Sequence, residues 1–226
     1  MAEPTREEDN AQTQRSTERE RERMRDEGMS TTATVGSTIQ ESIEASVMLQ
    51  QAILADGELL RRIEEAAEMI LHALRKDARI FLAGNGGSAA CAQRLAAKFL
   101  GQNQIKRRVI PAMALAANAS AVTSIGNDYG FDQVFARQIE AFARPGDILV
   151  AITVSGDSRN VLRAVLMASA LRVKTIALTG RSGGKVKNAV DLCLCVPSRE
   201  MLRIQEAHVL LGHTILEFVE AGLARR

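Results

Sequence analysis

The sequence predicts an α/β fold: a doubly wound, five-stranded parallel sheet preceded by a helical hairpin. Three observations predict it. Short apolar runs ending in glycine or hydroxyl residues, Ile80 to Ala83 before Gly84 being the clearest, read as strands buried on both faces. Helical stretches separate these runs, and strands alternating with helices give a parallel sheet covered on both sides. Two of the runs break into turns rich in glycine and hydroxyls just before a helix, where open α/β sheets hold their ligands.

The 226 residues fit one domain with an appendage, or at most two small domains. With 46% hydrophobic residues but only 3% aromatic and no Trp, the core must be built from Ala, Leu, Ile and Val. A net charge of +2 is too balanced to argue for a nucleic-acid or membrane partner. No stretch reaches the roughly 20 apolar residues of a membrane span. Cys91, Cys193 and Cys195 lie in apolar surroundings, and three cysteines without a secretory signal predict reduced, buried thiols in the cytoplasm. Cys193 and Cys195 alternate along a strand, a poor arrangement for a zinc knuckle.

Residues 1–29 carry nine acidic residues and six arginines with almost nothing apolar, so residues 1–36 are expected to form a charged, disordered tail. Met29 is an alternative start. A single domain is expected over 37–226. From about Ser37, apolar residues at Ile39, Ile43, Val47 and Ile53 recur at helical spacing. Asp56-Gly57 interrupts the pattern, and Leu59, Ile63, Ala66, Ile70 and Leu74 resume it. Such a hairpin serves equally as an oligomer interface or as packing on the sheet.

The first strand follows, then Gly84-Asn85-Gly86-Gly87-Ser88, with Ser88 in the position of an N-cap for an alanine-rich helix to Leu100. Val109 to Leu115 reads as the second strand, at an edge because of Pro111. A loop at Asn118 to Ser120 leads to Asn127-Asp128-Tyr129-Gly130, and a helix is expected from Phe131 to about Phe142. Ile148 to Ile152 is the third strand, running into Thr153-Val154-Ser155-Gly156-Asp157-Ser158 and a further helix. Lys174 to Leu178 and Asp191 to Val196 complete the sheet, and a closing helix spans roughly Met201 to Ala224.

The two loops carry the chemistry. Free backbone N–H groups at a helix start attract anions, and hydroxyls add donors. Neither G-x-x-x-x-G-K-[ST] nor G-x-G-x-x-G occurs, so the loops suit a sugar phosphate monoester better than a nucleoside triphosphate. The plainer reading of Ser155 and Ser158 is a turn and a cap.

Taken together, Gly84 to Ser88, Gly126 to Gly130, Thr153 to Ser158, Leu178-Thr179-Gly180 and Ile204-Gln205-Glu206-Ala207-His208 resemble a SIS (sugar isomerase) domain. More narrowly, the chain is similar to the bacterial phosphoheptose isomerases, in order over about 37–224. That resemblance implies a flavodoxin-like sheet, a homotetramer with sites at subunit interfaces, and a phosphorylated sugar as ligand. It also implies interconversion of sedoheptulose 7-phosphate and D-glycero-D-manno-heptose 7-phosphate, feeding heptose biosynthesis for lipopolysaccharide. By resemblance the phosphate falls to Ser88, Thr153, Ser155 and Ser158. The sugar hydroxyls fall to Asn85, Gly86, Gly87, Asn127 and Asp128, and Val154 and Gln205 also belong to the substrate site. Thr153 stands where the family has serine, which keeps the hydroxyl.

One departure is chemical. The family carries His-x-x-x-Glu on the helix after the glycine loop, as zinc ligand and general base, and here those positions are Arg94 and Lys98. A guanidinium cannot ligate Zn²⁺, and a protonated lysine does not. Only Gln205 and His213 of the family's ligand set are present, so no metal is expected. In one reading His213, Arg94 and Lys98 form a metal-free catalytic group, the cations polarising the sugar carbonyl and a base such as Glu206 supplying the missing carboxylate. In the other the site has lost catalysis. The chain is then a phosphosugar-binding regulator or scaffold, similar to the replication initiator-associating protein, or the partner of a catalytic paralogue. His208, on an apolar helix, reads as a core residue.

Overall fold

The computed structural model describes residues 38–101 and 108–224; the charged segment 1–36 lies outside them. The chain divides into one unit ending at Val47 and a second beginning at Met48. Helix α1 (38–55) begins in the first unit, where Gln40 Nε2 donates to Glu44 Oε1 at 2.7 Å. In the second unit Leu49 and Ile53 enter the core. Helix α2 (Gly57–Leu74) starts on Asp56, whose carboxylate accepts from the Leu59 N–H at 2.9 Å.

Strand β1 (Ile80–Gly84) is buried at all five positions, as is β3 (Ile148–Ile152). With β2 (Ala112–Ala114), β4 (Lys174–Thr179) and β5 (Leu192–Cys195) they form one sheet in the order β2-β1-β3-β4-β5, parallel throughout. This is the flavodoxin-like order expected from the resemblance. β2 is shorter than the predicted Val109 to Leu115: it lies at the edge, Val109 is exposed, and Pro111 contributes only its carbonyl, which accepts from the Ile80 N–H at 2.9 Å.

The strands' period of two splits the core. Ile80, Leu82, Ile148, Val150, Ile152, Ile176 and Leu178 face one layer, with α2, α3 (Gly87–Leu100) and α7 (Met201–Ala224). Phe81, Ala83, Leu149, Ala151 and Ala177 face the other, with α5 (Ala136–Phe142) and α6 (Arg159–Ala170). Each fully buried leucine or isoleucine contributes about 1.5–3 kcal/mol. α7 lies close to α3: a Cβ on Gly212 would sit 2.6 Å from Leu95.

Three local expectations are corrected. Ser88 is not the cap of α3 but lies inside its first turn; Gly86, at φ 51°, turns the chain directly into the helix and leaves the cap without a side-chain bond. Residues after Asn118 are not loop but helix α4 (Ala119–Tyr129), capped by the Asn118 side chain accepting from the Ala121 N–H at 3.1 Å. The single helix from Phe131 becomes a 3₁₀ turn (Phe131–Gln133) followed by α5. The thiol expectation holds for Cys91 and Cys193, which are buried, but Cys195 is partly exposed.

Candidate functional site

The chain order of the sheet reverses between β1 and β3, and open α/β sheets hold their ligands outside the carboxyl ends of the strands at such a point. Both glycine-rich loops leave from these two strands, so topology alone makes them neighbours. A pair of amides joins them: Asn85 Nδ2 donates to Asn160 Oδ1, and Asn160 Nδ2 donates back to Asn85 Oδ1, each at 2.8 Å. Asn160 is buried, and its Oδ1 also accepts from the Val161 N–H at 2.9 Å. The pair spends part of the hydrogen-bonding capacity of Asn85 on fixing the loop. In the first loop Ser88 is buried at the start of α3, its N–H donating to the Asn85 carbonyl at 2.9 Å.

The second loop is held by its own hydroxyls. Thr153 Oγ1 lies 3.1 Å from Ser158 Oγ and accepts from the Gly156 N–H at 3.3 Å. Ser155 Oγ accepts from the Asp157 N–H at 3.1 Å. Ser158 is the N-cap of α6, yet its hydroxyl makes no capping bond, being turned toward Thr153. Thr153 is buried, Ser158 half-buried and Ser155 exposed, with Val154 between them half-buried. The loop therefore presents hydroxyls of graded depth beside an uncapped helix start, an arrangement suited to an anion.

On the other side of the first loop, a cleft of about 470 Å³ is lined by Gly87, Arg94, Arg203, Gln205, Glu206 and neighbouring apolar residues. A Cβ on Gly87 would lie 2.7 Å from the Gln205 amide, so a larger residue there would have to displace that side chain from the cleft. Arg94 Nε donates to His213 Nε2 at 3.3 Å, bringing α3 and α7 together through their polar faces. His213 is held below its ordinary pKa by burial first, then by the charges of Arg94 and Lys98. Arg203 Nη2 donates to Glu206 Oε1 at 2.6 Å. Among the described residues, Asn127 and Asp128 share no hydrogen bond with either loop. They occupy the exposed last turn of α4, where Asn127 Nδ2 donates to Asp128 Oδ1 at 2.9 Å and Ser124 Oγ donates to Asp128 Oδ2 at 3.4 Å.

Known proteins share this fold. The SIS domain family matches residues 50–180. The phosphoheptose isomerase of Clostridium acetobutylicum is 40% identical over 185 residues, covering 82% of this chain and 94% of that protein. That of Aliarcobacter butzleri is 47% identical over 162 residues, covering 72% and 86%. The structure of phosphoheptose isomerase GmhA from Neisseria gonorrhoeae superposes with a TM-score of 0.78 at 39% identity, covering 83% of this chain and 99% of that one. The chain belongs to the phosphoheptose isomerase family of SIS-domain proteins.

Within that family the zinc implied by the resemblance does not fit the residues present. The lone pair that His213 Nε2 would give a cation is accepting from a guanidinium, and Arg94 brings a positive charge to the same spot. Among the described residues no group of three or more His, Cys, Asp and Glu is placed to hold a metal ion. Of the residues lining the paired loops, sequence reading missed Asn160. Its only signal was an amide at the second position of a helix after a hydroxyl-rich turn; its partner lies 75 residues away.

Proposed function

We propose that the chain binds a phosphorylated heptose between the paired loops and interconverts its ketose and aldose forms without a metal. Sedoheptulose 7-phosphate and D-glycero-D-manno-heptose 7-phosphate are the substrate pair. The observation that carries the reading is Arg94, which shares a cleft with Gln205 and Glu206 and donates to His213. Ser88, Thr153, Val154, Ser155 and Ser158 take the phosphate. Asn85, Gly86, Gly87, Gln205, Asn127 and Asp128 take the sugar hydroxyls, the last two from α4 of a neighbouring subunit in a homotetramer.

Arg94, with Lys98 one turn along, polarises the carbonyl oxygen and stabilises the negative charge that develops on it. A base, Glu206, removes the proton from the adjacent carbon; the electron pair forms the enediolate double bond, and the proton returns to the former carbonyl carbon. His213, kept neutral by its surroundings, passes the hydroxyl proton between the two oxygens. No described helix is long and apolar enough to cross a membrane. We place the reaction in the cytoplasm, supplying heptose for lipopolysaccharide.

The test is isomerisation of sedoheptulose 7-phosphate by purified protein, with Zn²⁺ or EDTA added, beside an Arg94→His/Lys98→Glu variant. Turnover by the native protein that ignores EDTA is the expected result. A silent native protein and an active variant would overturn it, leaving a phosphosugar-binding regulator or scaffold.

A further inference from the structure

At the far edge of the sheet, the thiols of Cys193 and Cys195 point to the same side of β5, with their sulfurs 3.5 Å apart. Both meet one hydroxyl: Thr179 Oγ1 lies 3.4 Å from Cys193 Sγ and donates to Cys195 Sγ at 3.3 Å. Cys193 is buried, whereas Cys195 is partly exposed. The sulfur of Cys195 rests on Gly183 beside the stem of Lys187: a Cβ on Gly183 would lie 2.7 Å from Lys187 Cβ and 3.1 Å from that sulfur. Arg62, on α2, approaches the same strand, its Nη1 donating to the Cys193 carbonyl at 3.4 Å. A nucleophilic sulfur at the surface, a second sulfur in contact behind it and two cations nearby are the parts of a peroxide-reactive dithiol.

We propose that Cys193 and Cys195 form a redox modification site that a hydroperoxide closes reversibly into a disulfide. The Cys195 thiolate attacks the distal peroxide oxygen; the O–O bond breaks, the leaving oxygen takes a proton, and Cys195 becomes a sulfenic acid. Cys193 then attacks that sulfur and gives up its proton as water departs. Two thiols and one hydroperoxide yield a disulfide, one water and one water or alcohol. The order follows from the environment. The hydrogen bond from Cys193 and the nearby Thr179, Lys187 and Arg62 hold the Cys195 thiol well below its ordinary pKa, against the effect of burial. The same sulfur contact, then burial, pushes Cys193 up. Two strand residues span about 6.6 Å, near the upper limit of the Cα separation a disulfide accepts, so the closed bond is strained and readily reduced.

The test treats full-length protein with hydrogen peroxide and follows each of its three cysteines by mass spectrometry. Expected are loss of two hydrogens from the peptide carrying Cys193 and Cys195, reversal by dithiothreitol, and no change at Cys91. Cys195→Ser slows the reaction by about tenfold or more, and Cys193→Ser stops it at a sulfenic acid trapped by dimedone. Differential alkylation of the native protein ranks the three thiols without any substitution, so a variant that fails to fold leaves the proposal testable. Cys91 reacting as fast as Cys195, or disulfides only between chains, would overturn it.

Discussion

A histidine with no exposed surface has to stay neutral, and His208 shows what that does to stability. Burial pushes its pKa down to about 4, a contact with the Thr179 main chain opposing this only weakly. Neither ring nitrogen has a well-formed hydrogen bond among the described residues. Unfolded, the ring titrates near its ordinary value, so between about pH 6.5 and 4 the unfolded chain binds the extra proton. Stability from this residue is full above that window and falls as the pH drops through it. The loss between pH 7 and pH 5 is roughly 2 kcal/mol. Urea unfolding at the two pH values, beside a His208→Gln variant, checks it: the variant should lose less over the same interval. His213 offers a second residue-scale prediction, because Arg94 and Lys98 are two of the causes of its depression. Arg94→Ala should raise its pKa toward the ordinary value, visible as a shifted imidazole titration in NMR. A titration unmoved by the substitution would mean that burial and Lys98 set it without Arg94.

At the scale of elements, the second of the two loops depends on a third segment that binds no ligand in the proposal. Gly156 has φ 74° and faces the Gly183 carbonyl so closely that a Cβ has no room. The Val186 N–H donates to the Gly156 carbonyl at 3.0 Å, and the Lys185 N–H to Asp157 Oδ1 at 3.1 Å. The loop after β4 thus supports the loop after β3. Gly156→Ala should destabilise the protein by roughly 2–4 kcal/mol, the left-handed strain adding to the overlap. It should also weaken phosphosugar binding, measured by thermal denaturation and calorimetry together. Strands β1 and β3 were legible because every position is apolar, and α7 because its pattern runs unbroken from Met201 to Ala224. Helix α4 was not: it opens on small and polar residues that read as loop, and Val122 and Ile125, its apolar contacts with the core, are only partly buried. The Asn85–Asn160 and Arg94–His213 bonds were out of reach for a different reason. Each joins residues at least 75 positions apart, and only the completed sheet brings them together.

For the whole molecule, the question is what the unburied aromatics are for. The chain has six Phe and one Tyr. Two of these seven, Tyr129 and Phe131, are more than half exposed at the end of α4 and just beyond it. They adjoin Asn127 and Asp128, and Arg137 stacks on the Tyr129 ring at 3.7 Å. A core short of aromatics that leaves two on one exposed turn has a use for them outside itself, and a second copy of the chain is the occupant the proposed tetramer supplies. Phe131→Asp should therefore cost about 2 kcal/mol or more at each interface. In light scattering the mass should fall from four chains toward one. The fold should survive, since neither α4 nor the turn after it contributes a buried residue. If Asn127 and Asp128 complete a neighbour's site, affinity for the sugar phosphate should fall with the mass. Loss of affinity in a protein that remains tetrameric would instead assign Phe131 to the ligand within its own subunit.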